Sequence, residues 1–307
     1  MSSDAISEHD RLTRLQPPEQ PVEIVLDTDT YNEIDDQFAL VYSLCSDAID
    51  VSAVYAAPFH NDRSTGPGDG MELSYEEIQR VLDRLDYSAR DDFVYRGTTE
   101  FMSGTESSLE NPATADLIDR ARDRDADEPL YVVPIGAPTN VSLAIKQAPE
   151  IIENIVVVWL GGQPHTWHSA AEFNLQQDIA ASQILYDSGV PFVQVPCKNV
   201  AEHIRSTVPE LEYHLGDGGP MSQYLLEIFT EYGDKYAANA WAKEIWDIAP
   251  IAYLVNPDWV PSHLSHSPWL SEDLRYSHDP HRHLMRVAQD VNRGAIFDDF
   301  FATLDGR

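Results

Sequence analysis

The sequence predicts a single α/β domain built on a mostly parallel central sheet with helices on its faces, and three observations predict it. Short apolar runs rich in β-branched residues recur at Val22 to Leu26, Val51 to Ala57, Phe93 to Tyr95, Leu130 to Ile135, Ile155 to Leu160 and Phe192 to Val195. Helical segments separate most of these runs. No linker-like stretch or internal repeat divides the 307 residues. Buried strands alternating with helices indicate a parallel sheet covered on both sides, because each crossover returns over one of its faces.

Taken in order, residues 1–21 are polar and carry Pro17, Pro18 and Pro21, which predicts a surface arm ahead of the main domain over 22–307. The first apolar run leads straight into DTDTYNEIDD. Gln37 to Cys45 then reads as a helix with Phe38, Leu40, Val41 and Leu44 inward. Gly66 to Gly70 reads as a loop, and Ser74 with Glu77 as a capping box opening a helix that runs to Leu85. Later helices are placed near 114–124, 139–147 and 178–188. Met285 to Val291 reads as a last strand and Ala295 to Leu304 as an amphipathic closing helix. Gly161–Gly162 marks a tight strand exit.

Composition narrows the partners. The formal net charge is −32, from 52 acidic against 20 basic residues, and only four of the basic ones are lysines. A field of that sign repels phosphate backbones, so nucleic acid is not an expected partner. The acids are spread along the chain, as on a surface adapted to a high-salt cytosol where screening weakens self-repulsion. No run approaches the roughly 20 apolar residues that span a bilayer, and the start of the chain lacks a secretory pattern. A cytoplasmic protein with no membrane partner is expected. Cys45 and Cys197, both in apolar segments, suit reduced buried thiols.

The chemistry concentrates where the first strand ends. Asp27 and Asp29 close the strand and Asp35–Asp36 open the next helix, so four carboxylates meet at one strand-to-helix loop. In open α/β sheets ligands bind at such carboxyl ends. Repulsion among gathered carboxylates is costly unless a cation or tight hydrogen bonding offsets it. Their hard oxygens suit Ca²⁺, or Mg²⁺ as a second choice. The plainer alternative makes Asp35 a helix cap and the others solvated loop acids. An apolar strand ending in Asp-x-Asp also opens the haloacid-dehalogenase-like phosphatases, with Asp27 as nucleophile. Tyr31 departs from that pattern, and Asp35–Asp36 are unexplained by it.

VLDTDTYNEIDDQFAL resembles the opening of the nucleoside hydrolases, the inosine–uridine-preferring family and its purine-specific relatives. Later blocks follow in the same order: VVPIGAPTNVSLA, VVVWLGG, SAAEFNLQQDIAAS and EIWDIAPIAYLVNP. The resemblance covers roughly residues 22 to 302. It implies a catalytic domain that hydrolyses the N-glycosidic bond of ribonucleosides, with a purine base expected, and a homodimer or homotetramer. It further implies Asp29, Asp36 and Asp247 as metal ligands, with the backbone carbonyl of Ile135 as another. Asp35 and Asn174 match ribose-hydroxyl contacts, Glu172 a contact to the 5′ side of the sugar and Asn61 a further sugar contact. Asp27 matches an acid that supports the loop.

The physical logic of such a site is consistent. Glycosidic cleavage builds positive charge on the sugar, which a carboxylate-lined pocket stabilises. A cation on the 2′- and 3′-hydroxyls would fix the ring and acidify water, with Asp29 as general base. Three positions depart from the family's better-known members. The Asp29–Asp35 spacing is two residues longer. Trp246 stands before Asp247 where pyrimidine-tolerant members carry an acid histidine, as in purine-specific relatives, and an indole there can stack on a purine. Thr166 stands where many members have a sugar-binding Asn. His165 and His168, beside the predicted sugar contacts, are candidates for the missing acid, and His168 is placed with the substrate-binding residues. His278, His281 and His283 match no familiar zinc spacing. A non-catalytic nucleoside- or ribose-binding protein is the remaining alternative.

Overall fold

A computed structural model describes residues 6–87, 92–102, 109–124, 128–235 and 240–304. In chain order its elements are α1 (Glu8–Arg14), β1 (Val22–Thr28), α2 (Asp35–Cys45), β2 (Ile49–Ala56), α3 (Pro67–Arg84), β3 (Val94–Arg96), α4 (Pro112–Arg122), β4 (Leu130–Pro134) and α5 (Thr139–Gln147). There follow β5 (Ile155–Leu160), α6 (Phe173–Gln177), α7 (Ile179–Ser188), β6 (Phe192–Val195), β7 (Arg205–Ser206), α8 (Val208–Leu215), α9 (Pro220–Asp234), β8 (Lys243–Glu244) and α10 (Ile248–Val255). The chain closes with β9 (Ser262–His266), β10 (Trp269–Leu270), β11 (Tyr276–Ser277), β12 (Leu284–Ala288) and α11 (Arg293–Thr303).

Eight strands form one sheet in the order β3-β2-β1-β4-β5-β6-β12-β9. All its neighbours run parallel except β12 with β9. The first six strands have the doubly wound, Rossmann-like order. Side-chain alternation divides β1 between two cores: Ile24 and Leu26 join Phe38, Ile78 and Ile251 on one face, and Val25 joins Leu117, Val141 and Leu185 on the other. The predicted single α/β domain with a mostly parallel sheet is the fold observed.

Several local expectations need correction. Within the expected polar arm, Glu8–Arg14 form α1. Ser7 caps α1 by accepting from the Asp10 amide, Ile6 and Leu15 are buried, and the buried Arg11 guanidinium donates to the Gly189 carbonyl at 2.9 Å. Residues 1–5 of the expected arm lie outside the described residues. Helix α3 begins at Pro67, seven residues before Ser74. Proline at the first helical position needs no amide partner. Gly70 permits this early start, because a Cβ there would sit 2.0 Å from the Phe59 carbonyl oxygen. Ser74 is therefore mid-helix, its hydroxyl donating to the Gly70 carbonyl, and Glu77 is buried, accepting from Gln37 and Tyr224. The edge strand β9 has alternating polar residues and no apolar run to announce it. Cys45 and Cys197 are both buried, and neither is in a disulfide. Among the described residues no helix is long and apolar enough to cross a membrane.

Candidate active site

Strand β1 lies between β2 and β4, where the winding of the sheet reverses, and a crevice opens there at the carboxyl ends. A cavity of about 340 Å³ occupies it. Asp29 enters from the end of β1, Ile135 from the end of β4, Leu160 from β5, and Cys197 and Lys198 from the loop after β6. The first turn of α2 supplies Asp35 and Asp36, and Asp247 stands immediately before α10. A helix amino end favours such carboxylates. Asp35 does not cap α2, since Ile34 holds that position. A larger groove of about 860 Å³ lies at the opposite, amino ends of β1 and β4 beneath Pro17 to Pro21. Among the described residues, the one carboxylate group able to hold a metal is in the smaller cavity.

That group is Asp35, Asp36 and Asp247, each offering an oxygen within 4.8 Å of the others. All three are buried, and so is Asp29, whose two oxygens have no hydrogen-bond partner. Asp29 fits only because residue 136 is glycine: a Cβ there would lie 2.8 Å from its Cγ. Burial, reinforced by repulsion from Asp35, pushes the Asp36 carboxyl up to about 7, although Thr28 donates to it at 2.6 Å. Burial and the neighbouring aspartates push Asp29 and Asp247 well above the ordinary carboxylate range. Hard oxygens crowded together with too few donors fit a divalent cation, which would return them to the charged form.

Lys243 offsets part of the charge from below. Its ammonium is 2.6 Å from Glu33 and 3.5 Å from Asp35. Burial pulls its pKa down, but Asp35 and Glu33 carry it above the usual lysine value. Asp35 is further fixed by the backbone amide of Trp246, 3.1 Å from its Oδ2.

Of the residues singled out in the sequence, Asp29, Asp35, Asp36, Asn61, Ile135, Glu172, Asn174, Trp246 and Asp247 all line the cavity. His168 does not. The turn that closes with the Trp167 amide on the Pro164 carbonyl carries it outward, and it is exposed. His165 is also outside the lining, bonded to Gln194 at 2.7 Å, and burial holds it down at about 4, so it stays neutral. Asp27 is fully buried, accepts from Asn140 at 2.8 Å and is raised to about 7 by burial, away from the cavity. Other lining groups are already engaged. Glu172 accepts the amides of Gly162, Asn174 and Leu175. Asn174 spends both amide hydrogens on the carbonyls of Ile135 and Leu160. Asn61 donates to Asn32 Oδ1 at 2.6 Å and to the Asn32 carbonyl at 3.2 Å. Asn32, Glu33, Leu160, Gln163, Phe173 and Lys198 line the cavity without having been given a site role, and Cys197, expected only as a buried thiol, lines it too. The scarcity of lysine was the signal that could have marked Lys198 and Lys243.

Residues 24–300 match the model of the inosine-uridine preferring nucleoside hydrolases. The chain belongs to that family. Membership makes it an enzyme, which sets aside the binding-only alternative, and the sealed position of Asp27 leaves the phosphatase alternative without a nucleophile. Among related proteins, a pyrimidine-specific ribonucleoside hydrolase RihA of Escherichia coli O1:K1 is 28% identical, covering 76% of this chain and 80% of the relative. The RihA of Salmonella paratyphi A is 26% identical over the same shares. The fold matches that of the plant nucleoside hydrolase PpNRh1, with TM-score 0.74 and 19% identity over 94% of this chain and 100% of the other. It also matches a purine-preferring ribonucleoside hydrolase from Gardnerella vaginalis, with TM-score 0.74 and 22% identity over 92% and 98%.

Proposed function

We propose that this nucleoside hydrolase cleaves purine ribonucleosides to free base and ribose with a divalent cation, Ca²⁺ by preference, held by Asp29, Asp36 and Asp247 with the Ile135 carbonyl. The observation that carries the reading is the buried Asp29, with both oxygens unpartnered, beside three further buried aspartates. When bound, the cation supplies positive charge that fixes vicinal hydroxyls and makes water easier to deprotonate. Asp29 takes the proton from the attacking water. Asp35, tied to Lys243 and the Trp246 amide, and Asn174, through its remaining oxygen, accept hydrogen bonds from the ribose. The engaged positions of Glu172 and Asn61 give both a bracing role alongside any sugar contact. Trp246, half-buried in the lining, offers an indole face to the base.

The names of the E. coli and Salmonella relatives point toward pyrimidines, whereas the tryptophan before Asp247 and the absence of histidine from the described lining favour purines. Base release from inosine, adenosine, uridine and cytidine decides between them after chelator treatment and again after Ca²⁺ or Mg²⁺ is restored. The expected result is turnover fastest on a purine nucleoside, abolished by chelation and restored best by Ca²⁺. Asp36→Ala and Asp247→Ala should lose bound metal and activity together. Metal-independent turnover or stoichiometric metal in those variants would refute the metal assignment, and faster uridine turnover would refute the purine preference. Exposed Leu264 and Trp269 beside the sheet edge support the homodimer or homotetramer, and the net charge of −32 supports a salt-rich cytoplasm.

A further inference from the structure

Cleaving an N-glycosidic bond leaves its electron pair on the base nitrogen, which then needs a proton or a strong donor. The carboxylates of the cavity stabilise the sugar and cannot serve the base in their charged form. Several neutral amide donors are already committed: both hydrogens of Asn61 and of Asn174 as described, and one of Gln163 to the Ala171 carbonyl at 2.9 Å. Among the described residues lining the cavity there is no histidine, and Lys198 is the one cationic side chain.

The position of Lys198 is built by the loop after β6. The Cys197 amide donates to the Gly162 carbonyl at 3.1 Å and the Lys198 amide to Gln163 Oε1 at 3.1 Å. Asn199 takes a left-handed turn at φ 62° and donates to Glu202. This geometry sets the Lys198 ammonium 4.9 Å from the centre of the Trp246 ring. Its ion pair with Glu202 is long, at 3.4 Å, and half exposed, so hydrogens remain for another acceptor.

We propose that Lys198 is the leaving-group donor of this enzyme, an inference that rests on the ribonucleoside reading. The C1′–N bond breaks with its electron pair going to the base nitrogen, which receives a proton from Lys198 Nζ. The water oxygen bonds to C1′ and its proton passes to Asp29. Nucleoside and water give base and ribose, and exchange with solvent returns the proton from Asp29 and restores the ammonium. Trp246 shares the site by stacking, so a ring and a cation act on the base together.

The test compares inosine with 4-nitrophenyl β-ribofuranoside, whose nitrophenolate leaves without a proton, using the full-length enzyme with Ca²⁺. Lys198→Met should lower kcat on inosine by about 10²- to 10⁴-fold, the usual worth of a positioned acid. On the nitrophenyl riboside the loss should stay within about threefold, which also reports a folded, loaded site. Lys198→Arg keeps the charge but cannot release a proton, so it should stay slow on inosine. Equal losses on the two substrates, or no loss on inosine, would overturn the lysine assignment alone. A wild-type enzyme that cleaves neither substrate would overturn the ribonucleoside reading and this proposal with it. If Lys198→Met does not fold, Lys198→Gln carries the same comparison.

Discussion

Asp27 and Asp29 stand two residues apart and meet opposite surroundings. Asp27 is fully buried, away from the cavity, with one oxygen accepting from the Asn140 amide of α5. Asp29 projects past the strand end with both oxygens unpartnered, in space that only Gly136 leaves open. A group so poorly provided for destabilises the fold until something charged meets it, and it is therefore available for chemistry. Asp29→Asn keeps the shape and removes the ability to take a proton. In a metal-replete protein kcat should fall by about 10²- to 10⁴-fold with KM changed little. In chelator-treated protein the same substitution should raise the unfolding midpoint, since one of four crowded carboxylates becomes neutral. Turnover at the wild-type rate by metal-replete Asp29→Asn would remove it as the base. An unchanged midpoint would show that the cluster is not under electrostatic load.

At the scale of elements, the loop between β1 and α2 decides how the cavity is closed. This loop places Asn32 against Asn61 and leaves the wall to be held from outside. Arg63 does this, donating to the carbonyls of Tyr31 at 3.1 Å and Glu33 at 2.7 Å. Its guanidinium also lies over the rings of Tyr31 and Tyr232. Glu33 then passes the constraint through Lys243 to Asp35. Arg63→Met should loosen this wall and raise KM for the nucleoside about tenfold to a hundredfold, the scale of one or two hydrogen bonds to a charged group. The carboxylates themselves remain in place, so titrated metal affinity should move little. A KM within twofold of wild type would mean the loop is held by other contacts. Self-contained elements were readable in advance: α5, β5 and β6 match the expected bounds because each is an apolar run with its own period. Helix α1, the early turns of α3 and strand β9 were not, because long-range contacts define them: Arg11 on Gly189, Gly70 against Phe59, β9 against β12. For the same reason Asp29, Asp35 and Asp36 were legible from one loop, Asp247 only through the family resemblance, and the bracing by Arg63 and Lys243 not at all, since side chains distant in sequence supply it.

For the whole molecule the governing quantity is the net charge of −32. Its self-repulsion must be overcome by two buried cores, one on each face of the sheet. Unscreened, like charges spread over one domain oppose the compact state. The screening length falls from about 10 Å at 0.1 M salt to about 3 Å at 1 M, so most of this repulsion disappears across that range. Ion pairs such as Arg122–Glu150 and Arg96–Glu72 are exposed and weaken as salt rises, but exposed pairs contribute about 0–1 kcal/mol each and cannot balance the excess of acids. The unfolding midpoint should therefore climb from low to molar KCl. A divalent salt would confuse the result, because a cation bound in the aspartate cluster would stabilise the fold by mass action. KCl with chelator present isolates the surface effect, and repeating the series on Asp247→Asn checks that the site is not the source. The two proteins should show parallel rises. A flat or falling midpoint in wild type would leave the acid coat unconnected to a saline interior, and a rise lost in Asp247→Asn would place the salt effect in the cluster instead of on the surface.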